Sequence, residues 1–228
     1  MQPATFATTR TARYYSLGPA GPDVRHIWFC LHGEGQPVAE QAAQLEKLDT
    51  PERLLILPEA LSRYALPPDE DGQRRVGAAW FAAGDLLPDF TDLTTYLDAL
   101  ADEVLATCPP DTPVTVLGYG HGAAAACRWL AGNRLAYERL ILYAAVFPPE
   151  IDRRATLVGL PERPVTVVAT TADAYTPEAA GEGLVQDLLE AGLSAQLLIV
   201  DEGPLTLAAL GAGGETVVEP APDPNPTE

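Results

Sequence analysis

Two hydrophobic patterns alternate along this chain. Short unbroken apolar runs recur at His26-Ile27-Trp28-Phe29-Cys30-Leu31, Leu54-Leu55-Ile56-Leu57, Val114-Thr115-Val116-Leu117, Leu140-Ile141-Leu142-Tyr143, Val165-Thr166-Val167-Val168 and Gln196-Leu197-Leu198-Ile199-Val200. Runs of this length, apolar at successive positions, predict strands buried on both faces of a parallel sheet. Pro58 should end the second run. Between them apolar residues return every three or four positions, the period of a helix. Val38, Ala42, Leu45 and Leu48 mark a helix over 35–49, and Leu93, Leu97, Leu100 and Val104 mark another. An Ala-rich helix should run from His121 to about Leu130, and a further one over 176–191, opened by Thr176 as N-cap and Pro177 in the first turn. Residues 61–90 read as a long irregular stretch with acidic 69–71 and Trp80. Residues 205–210 are at most a short helix.

Strands alternating with helices in this order predict an α/β chain with a doubly wound, mostly parallel sheet. No internal repeat is visible, and one domain over 13–212 is expected. Residues 1–12 read as an extension, and 213–228 as an acidic, Pro-rich disordered tail. Ligands on such sheets bind beyond the carboxyl ends of the strands. The loops after Leu31, Leu117, Val168 and Val200 should therefore cluster and carry the chemistry.

Composition narrows the field. The 228 residues, 47% of them apolar, can bury roughly 70% of the unfolded surface. Acids outnumber bases 32 to 14, for a net charge of −18, and Lys47 is the one lysine. Such a surface argues against nucleic acid and against anionic membranes as partners, since both require positive charge. The acidic, lysine-poor surface resembles that of proteins from salt-adapted organisms, in which salt screens self-repulsion. No run reaches the roughly 18 apolar residues of a membrane span. Met1-Gln2-Pro3-Ala4-Thr5 does not read as a signal peptide, so a cytoplasmic location is expected. The three cysteines, Cys30, Cys108 and Cys127, lack metal-site spacing. Cys30 and Cys127 read as small core residues.

The candidate chemistry lies at Gly118-Tyr119-Gly120-His121-Gly122. An apolar strand, a tight Gly-rich turn and an Ala-rich helix follow one another here. That is the outline of the G-x-S-x-G nucleophile elbow, with Gly120 in place of the serine. An elbow residue sits on a strained turn, which glycine adopts at little cost. A phosphate-binding loop would call for a Lys or G-x-G-x-x-G spacing, and neither is present.

Further segments extend the likeness: Thr11-Ala12-Arg13-Tyr14-Tyr15, Leu31-His32-Gly33-Glu34-Gly35-Gln36, Leu57-Pro58-Glu59, Val76-Gly77-Ala78-Ala79-Trp80-Phe81 and Arg128-Trp129. In order and spacing these resemble the phospholipase/carboxylesterase branch of the α/β-hydrolases, which includes the acyl-protein thioesterases. The resemblance runs from about Thr11 to Leu210. It implies an α/β-hydrolase fold and a Ser-His-Asp triad with a backbone oxyanion hole. Carried over position by position, the nucleophile falls on Gly120, the acid on Asp173 and the base on Leu205, in Glu202-Gly203-Pro204-Leu205 where the pattern has a histidine. The chain has no histidine after His121. Asp173, without a histidine to orient, is read as capping its own turn or facing water. The resemblance gives the oxyanion donors as the backbone N–H groups of Glu34 and His121, and places His32, Trp80 and Tyr119 around the pocket. Trp80 fits equally as core packing, and His32 as a turn residue. A Glu34 carboxylate beside the hole would oppose developing negative charge, or else point to solvent.

No substitute nucleophile is evident. Ser16, Ser62 and Ser194 are the only serines, and none lies on the four strand-end loops. Cys127 lies about two helical turns beyond Gly120. His121 could pair with Asp173, but reads more simply as a helix N-terminal residue. Cys30 and His32 share a strand face, yet two ligands do not make a zinc site. The expectation is a catalytically degenerate esterase-like protein that binds a small acyl or ester ligand, or a protein partner, with no cofactor and no metal. A homodimer is left open. The alternative is a weak ester or thioester hydrolase working without a triad, for oxyanion donors alone leave some catalysis.

Overall fold

The computed structural model describes residues 4–69, 71–82, 86–170 and 178–200. Nine strands and five α-helices alternate among them. The strands are β1 (Tyr14–Leu17), β2 (His26–Leu31), β3 (Arg53–Pro58), β4 (Ser62–Ala65), β5 (Val76–Ala79), β6 (Val114–Tyr119), β7 (Arg139–Tyr143), β8 (Val165–Thr170) and β9 (Ala195–Val200). The helices are α1 (Val38–Leu45), α2 (Leu87–Leu105), α3 (His121–Leu130), α4 (Arg153–Val158) and α5 (Glu178–Glu190). Seven strands form the main sheet in the order β1-β3-β2-β6-β7-β8-β9. All its pairings are parallel except that of β1, which runs antiparallel along β3. The expected doubly wound, mostly parallel sheet is therefore present.

The unbroken apolar runs explain the layering. Alternate residues of each run face opposite ways, so both faces must be covered. On one face Ile27, Phe29, Leu31, Val116, Leu140 and Val167 pack with α2, α3, α4 and α5. On the other, Trp28, Cys30, Leu55, Leu117 and Ile141 pack with α1. The α2 stripe of Leu93, Leu97, Leu100 and Val104 is buried as its spacing requires. Ala123, Ala124, Ala125 and Ala126 in α3 are wholly buried, which lets this helix lie close to the sheet. Trp129 Nε1 donates to Asp98 on α2 at 2.9 Å, and its ring meets Phe29 edge-on.

As expected, the second run ends at Pro58, the last residue of β3. Two expectations need correction. The 35–49 helix is shorter, since α1 starts at Val38 and Glu46–Leu48 is a 3-10 turn. The 61–90 stretch is not irregular, because β4 and β5 pair as an antiparallel hairpin. Its turn is signalled by Asp69, whose side chain accepts from Asp71 N and Gln73 N, and by Gly72 at φ 75°. Asp and Gly in these roles are ordinary turn chemistry. The structure also adds β1 and α4, which the hydrophobic pattern did not mark. The expected Thr176-Pro177 cap, the 205–210 helix and the tail lie outside the described residues. Among the described residues no helix is long and apolar enough to cross a membrane.

Candidate functional site

β6 is the central strand of the sheet, and its carboxyl end turns directly into α3. Gly120 forms that turn at φ 55°, ψ −123°. This region is sparsely populated for residues with a side chain and open to glycine. Its amide donates to Tyr143 O at 3.0 Å, and its carbonyl accepts from Ala123 N and Val146 N. The turn is thus anchored to the neighbouring strand and to its own helix. A Cβ added at Gly120 would meet only the Gly33 Cα, at 3.4 Å, so the position has room for a side chain. The flanking glycines have none. A Cβ at Gly118 would lie 2.5 Å from Gly122 O, and one at Gly122 would lie 2.4 Å from Leu31 O. Both contacts are with backbone. The G-x-G-x-G spacing therefore allows the close approach of β2, β6 and α3.

The loop after β2 faces this turn. Gln36 shapes it, accepting from Gly33 N at 3.0 Å and donating to Gln44 at 3.1 Å. Gly35, at φ 65°, donates its N–H to Ala78 O, and a Cβ at Gly77 would lie 2.2 Å from Gly35 O. The β4–β5 hairpin is thereby packed onto the loop. It delivers Tyr64, whose hydroxyl donates to Glu34 Oε1 at 2.7 Å. The other Glu34 oxygen lies 3.3 Å from His121 Nδ1. Glu34 thus does not simply face solvent but bridges Tyr64 and His121. Burial pushes the Glu34 carboxyl up, yet the hydrogen bonds from His121 and Tyr64 outweigh it and hold it below the usual carboxylate range. Burial, with the Glu34 carboxylate beside it, pushes Tyr64 up to about 12. The backbone N–H groups of Glu34 and His121 have no acceptor among the described residues. His121 opens α3, where the first N–H groups lack helical partners.

The remaining predicted residues fall in several places. His32 is fully buried beneath the site. Its Nε2 accepts from Ala60 N at 3.0 Å, which makes Nδ1 the protonated nitrogen, donating to Gly33 O at 2.7 Å. His32 therefore ties β2 to the loop after β3 rather than facing an open pocket. Trp80 is buried, donates to His32 O at 2.8 Å and stacks near the His32 ring. It also borders a groove of about 650 Å³ between residues 6–14 and α2, away from Gly120. Tyr119 is half-buried and packs near Tyr143. Cys30 and Cys127 are wholly buried, and burial pushes the Cys127 thiol up to about 12 and Cys30 higher still. Ser16 lies on β1, Ser62 on β4 and Ser194 just before β9. Asp173 and Leu205 lie outside the described residues. Among the described residues no cluster of three or more candidate metal ligands occurs. Sequence reading missed Tyr64 and Gln36. The turn signal at Asp69 and Gly72 could have placed Tyr64 on a hairpin strand.

His32 leads to a pH prediction. Burial lowers it to about 4, against the pull of the Gly33 carbonyl and the Glu34 charge. Its folded value lies below the unfolded value, so its contribution is complete above pH 6.5 and is lost as pH falls towards 4. The loss should reach about 3 kcal/mol. Denaturant unfolding from pH 7.5 to 4 would show it as a slope that His32→Asn flattens. An equal slope in the variant would assign the acid sensitivity to other groups.

No protein-family model matches the chain, and no curated protein matches it in sequence. Solved structures do resemble it. Esterase PE8 superposes with a TM-score of 0.63 at 19% identity, over 87% of this chain and 93% of that one. A phospholipase/carboxylesterase from Dyadobacter fermentans gives 0.58 at 15% identity, over 88% and 92%. Zea mays acyl-protein thioesterase 2 gives 0.58 at 21% identity, over 86% and 92%. At these identities the likeness speaks to the fold. The strand order, the elbow turn from β6 to α3 and these superpositions together give the chain the α/β-hydrolase fold.

Proposed function

We propose that this chain is a catalytically degenerate carboxylesterase/phospholipase-like protein that binds a small acyl or ester ligand beside Gly120 without cleaving it. The observation that carries this reading is the backbone at position 120. It holds the sharp strand-to-helix turn of a nucleophile elbow but bears no hydroxyl. Serine hydrolysis has no first step without one. The buried, protonated Cys127 cannot replace it, since the thiolate is the nucleophile. Sequence supplies no histidine after His121 to act as the usual base. Glu34 fits a binding role better than catalysis, because a carboxylate beside the two amides repels a developing oxyanion.

One observation favours a second reading. Glu34 holds His121 at Nδ1, the nitrogen by which a triad acid orients its base. In a weak hydrolase, His121 Nε2 would take a proton from water as that water attacks the ester carbonyl. The measurement is hydrolysis of short-chain p-nitrophenyl esters and of an acyl thioester by the purified chain in high salt. The expected rate equals the buffer blank, with the same esters raising the thermal midpoint saturably. Turnover above the blank that His121→Ala abolishes would replace the first reading with the second. Neither turnover nor a saturable ester effect would overturn both.

A further inference from the structure

At the opposite end of the sheet from Gly120, three basic residues each begin a strand. Arg53 begins β3, His26 begins β2 and Arg139 begins β7. In register they share the α1-side face with Trp28, since alternate residues share a face. The Arg53 guanidinium lies 5.5 Å from the Trp28 ring centroid and that of Arg139 lies 5.6 Å from it. Arg53 reaches the ring from the adjacent strand, and Arg139 reaches it across Thr115 of β6.

What this cluster lacks, among the described residues, is an ion pair. In a chain with 32 acids and 14 bases, neither arginine forms an ion pair with a described residue. The Arg139 side chain makes no hydrogen bond to one either, and the Arg53 side chain spends one N–H on Leu48 O at 2.7 Å. Two further donors are buried without an acceptor, Trp28 Nε1 and Arg53 Nε. Trp28 itself is only 2% exposed. Such donors are costly unless something accepts from them. The cations also act on one another. Burial and Arg53 lower Arg139, while burial, Arg53 and Arg139 lower His26, opposed only by Glu138. His26 instead shares a hydrogen bond with Thr115 Oγ1 at 2.9 Å. Stacking on indole accounts for the position of each guanidinium. It does not account for two guanidiniums around one ring without an ion-pair partner among the described residues.

The geometry points to an oxyanion site formed by Arg53, Arg139, Trp28 and His26, suited to the phosphoryl dianion of a small ligand. A dianion neutralises both guanidiniums, whereas a lone carboxylate neutralises one. Guanidinium forks match phosphate oxygens in pairs, and the buried Trp28 ring holds both forks at one place. The site lies a strand length, roughly 20 Å, from Gly120 and does not depend on what that turn binds.

The test uses the full chain and inorganic phosphate, with chloride at matched ionic strength because salt alone relieves its negative charge. Phosphate should raise the thermal midpoint saturably, by roughly 3–6 °C at about ten times its dissociation constant. Arg139→Gln should abolish that difference. If Arg139→Gln does not fold, Arg139→Lys keeps the charge but loses the fork and should weaken phosphate binding by about tenfold. Bound phosphate should also raise the His26 titration midpoint, read from its ring protons by NMR. Equal midpoints in phosphate and chloride would overturn the site, as would an undiminished response in the Arg139 variant. A response to succinate equal to that for phosphate would overturn the phosphoryl assignment.

Discussion

Gly120→Ser combined with Leu205→His is expected to switch on ester hydrolysis, while either substitution alone leaves the chain at the buffer blank. Triad members act as a unit, so a hydroxyl without a base, or a base without a hydroxyl, gives almost nothing. A positioned general base is worth about 10²–10⁴-fold, which sets the least gain the double variant should show. The geometry at position 120 favours the experiment. A serine Cβ meets only the Gly33 Cα at 3.4 Å, and the turn is already held by Tyr143 O, Ala123 N and Val146 N. The penalty is conformational. A side chain at φ 55°, ψ −123° should cost about 1–3 kcal/mol. Position 205 rests on the resemblance and Asp173 would serve as the acid. The assay is p-nitrophenyl butyrate hydrolysis by the two single variants and the double. A folded double variant without turnover would mean that more than two side chains separate this chain from an ester hydrolase.

Gly122→Ala should be among the most damaging single methyl groups that could be added. Its Cβ would lie 2.4 Å from Leu31 O and 2.5 Å from His32 O, both backbone atoms of the adjoining strand and loop. A flexible side chain could swing aside, but these atoms move only if α3 lifts from β2. Overpacking costs about 1–3 kcal/mol where neighbours can yield, so about 3–5 kcal/mol is expected where they cannot. Gly183→Ala, in the interior of α5 with nothing within 4 Å of its Cβ, is the control. It should stabilise by about 0.5–1 kcal/mol, because alanine is the better helix former. Guanidinium unfolding of the three proteins separates the two effects. A Gly122→Ala midpoint equal to wild type would show that the elbow is less tightly packed than its distances indicate.

The parts of the fold that could be read from sequence are those buried on both faces. The runs at β2, β3, β6, β7, β8 and β9 left little choice but a parallel sheet. β1 and β4 escaped because their burial is too slight to impose a pattern, and β5 because its buried residues are the small Gly77, Ala78 and Ala79. β1 exposes Tyr14 and Tyr15, and β4 is exposed at every residue. α4 is six residues long, and its clearest sign is Asp152, which caps Ala155 N. At the candidate site, Gly120 was legible because its neighbours Gly118 and Gly122 obey a local spacing rule. The Glu34–His121 and Glu34–Tyr64 contacts were not, since they join residues 87 and 30 positions apart. The arginine pair around Trp28 was hidden for a similar reason. It depends on the register of four strands, which no short segment encodes.

The two sides of the candidate site differ in how firmly the fold grips them. Gly120 ends the middle strand of seven, whose amides should open to solvent only when the whole sheet does. Tyr64 sits on a separate two-stranded ribbon, an assembly that is marginal without outside support. That support comes from the Gly35 N–H bond to Ala78 O, the burial of Ala78 and Ala79, and the ion pairs of Arg63 with Glu59 and Arg75 with Glu40. Local opening of the ribbon would release Glu34 from Tyr64 while leaving the elbow intact. The setting of the Glu34 carboxylate thus depends on the docking of one hairpin as well as on His121 and the elbow.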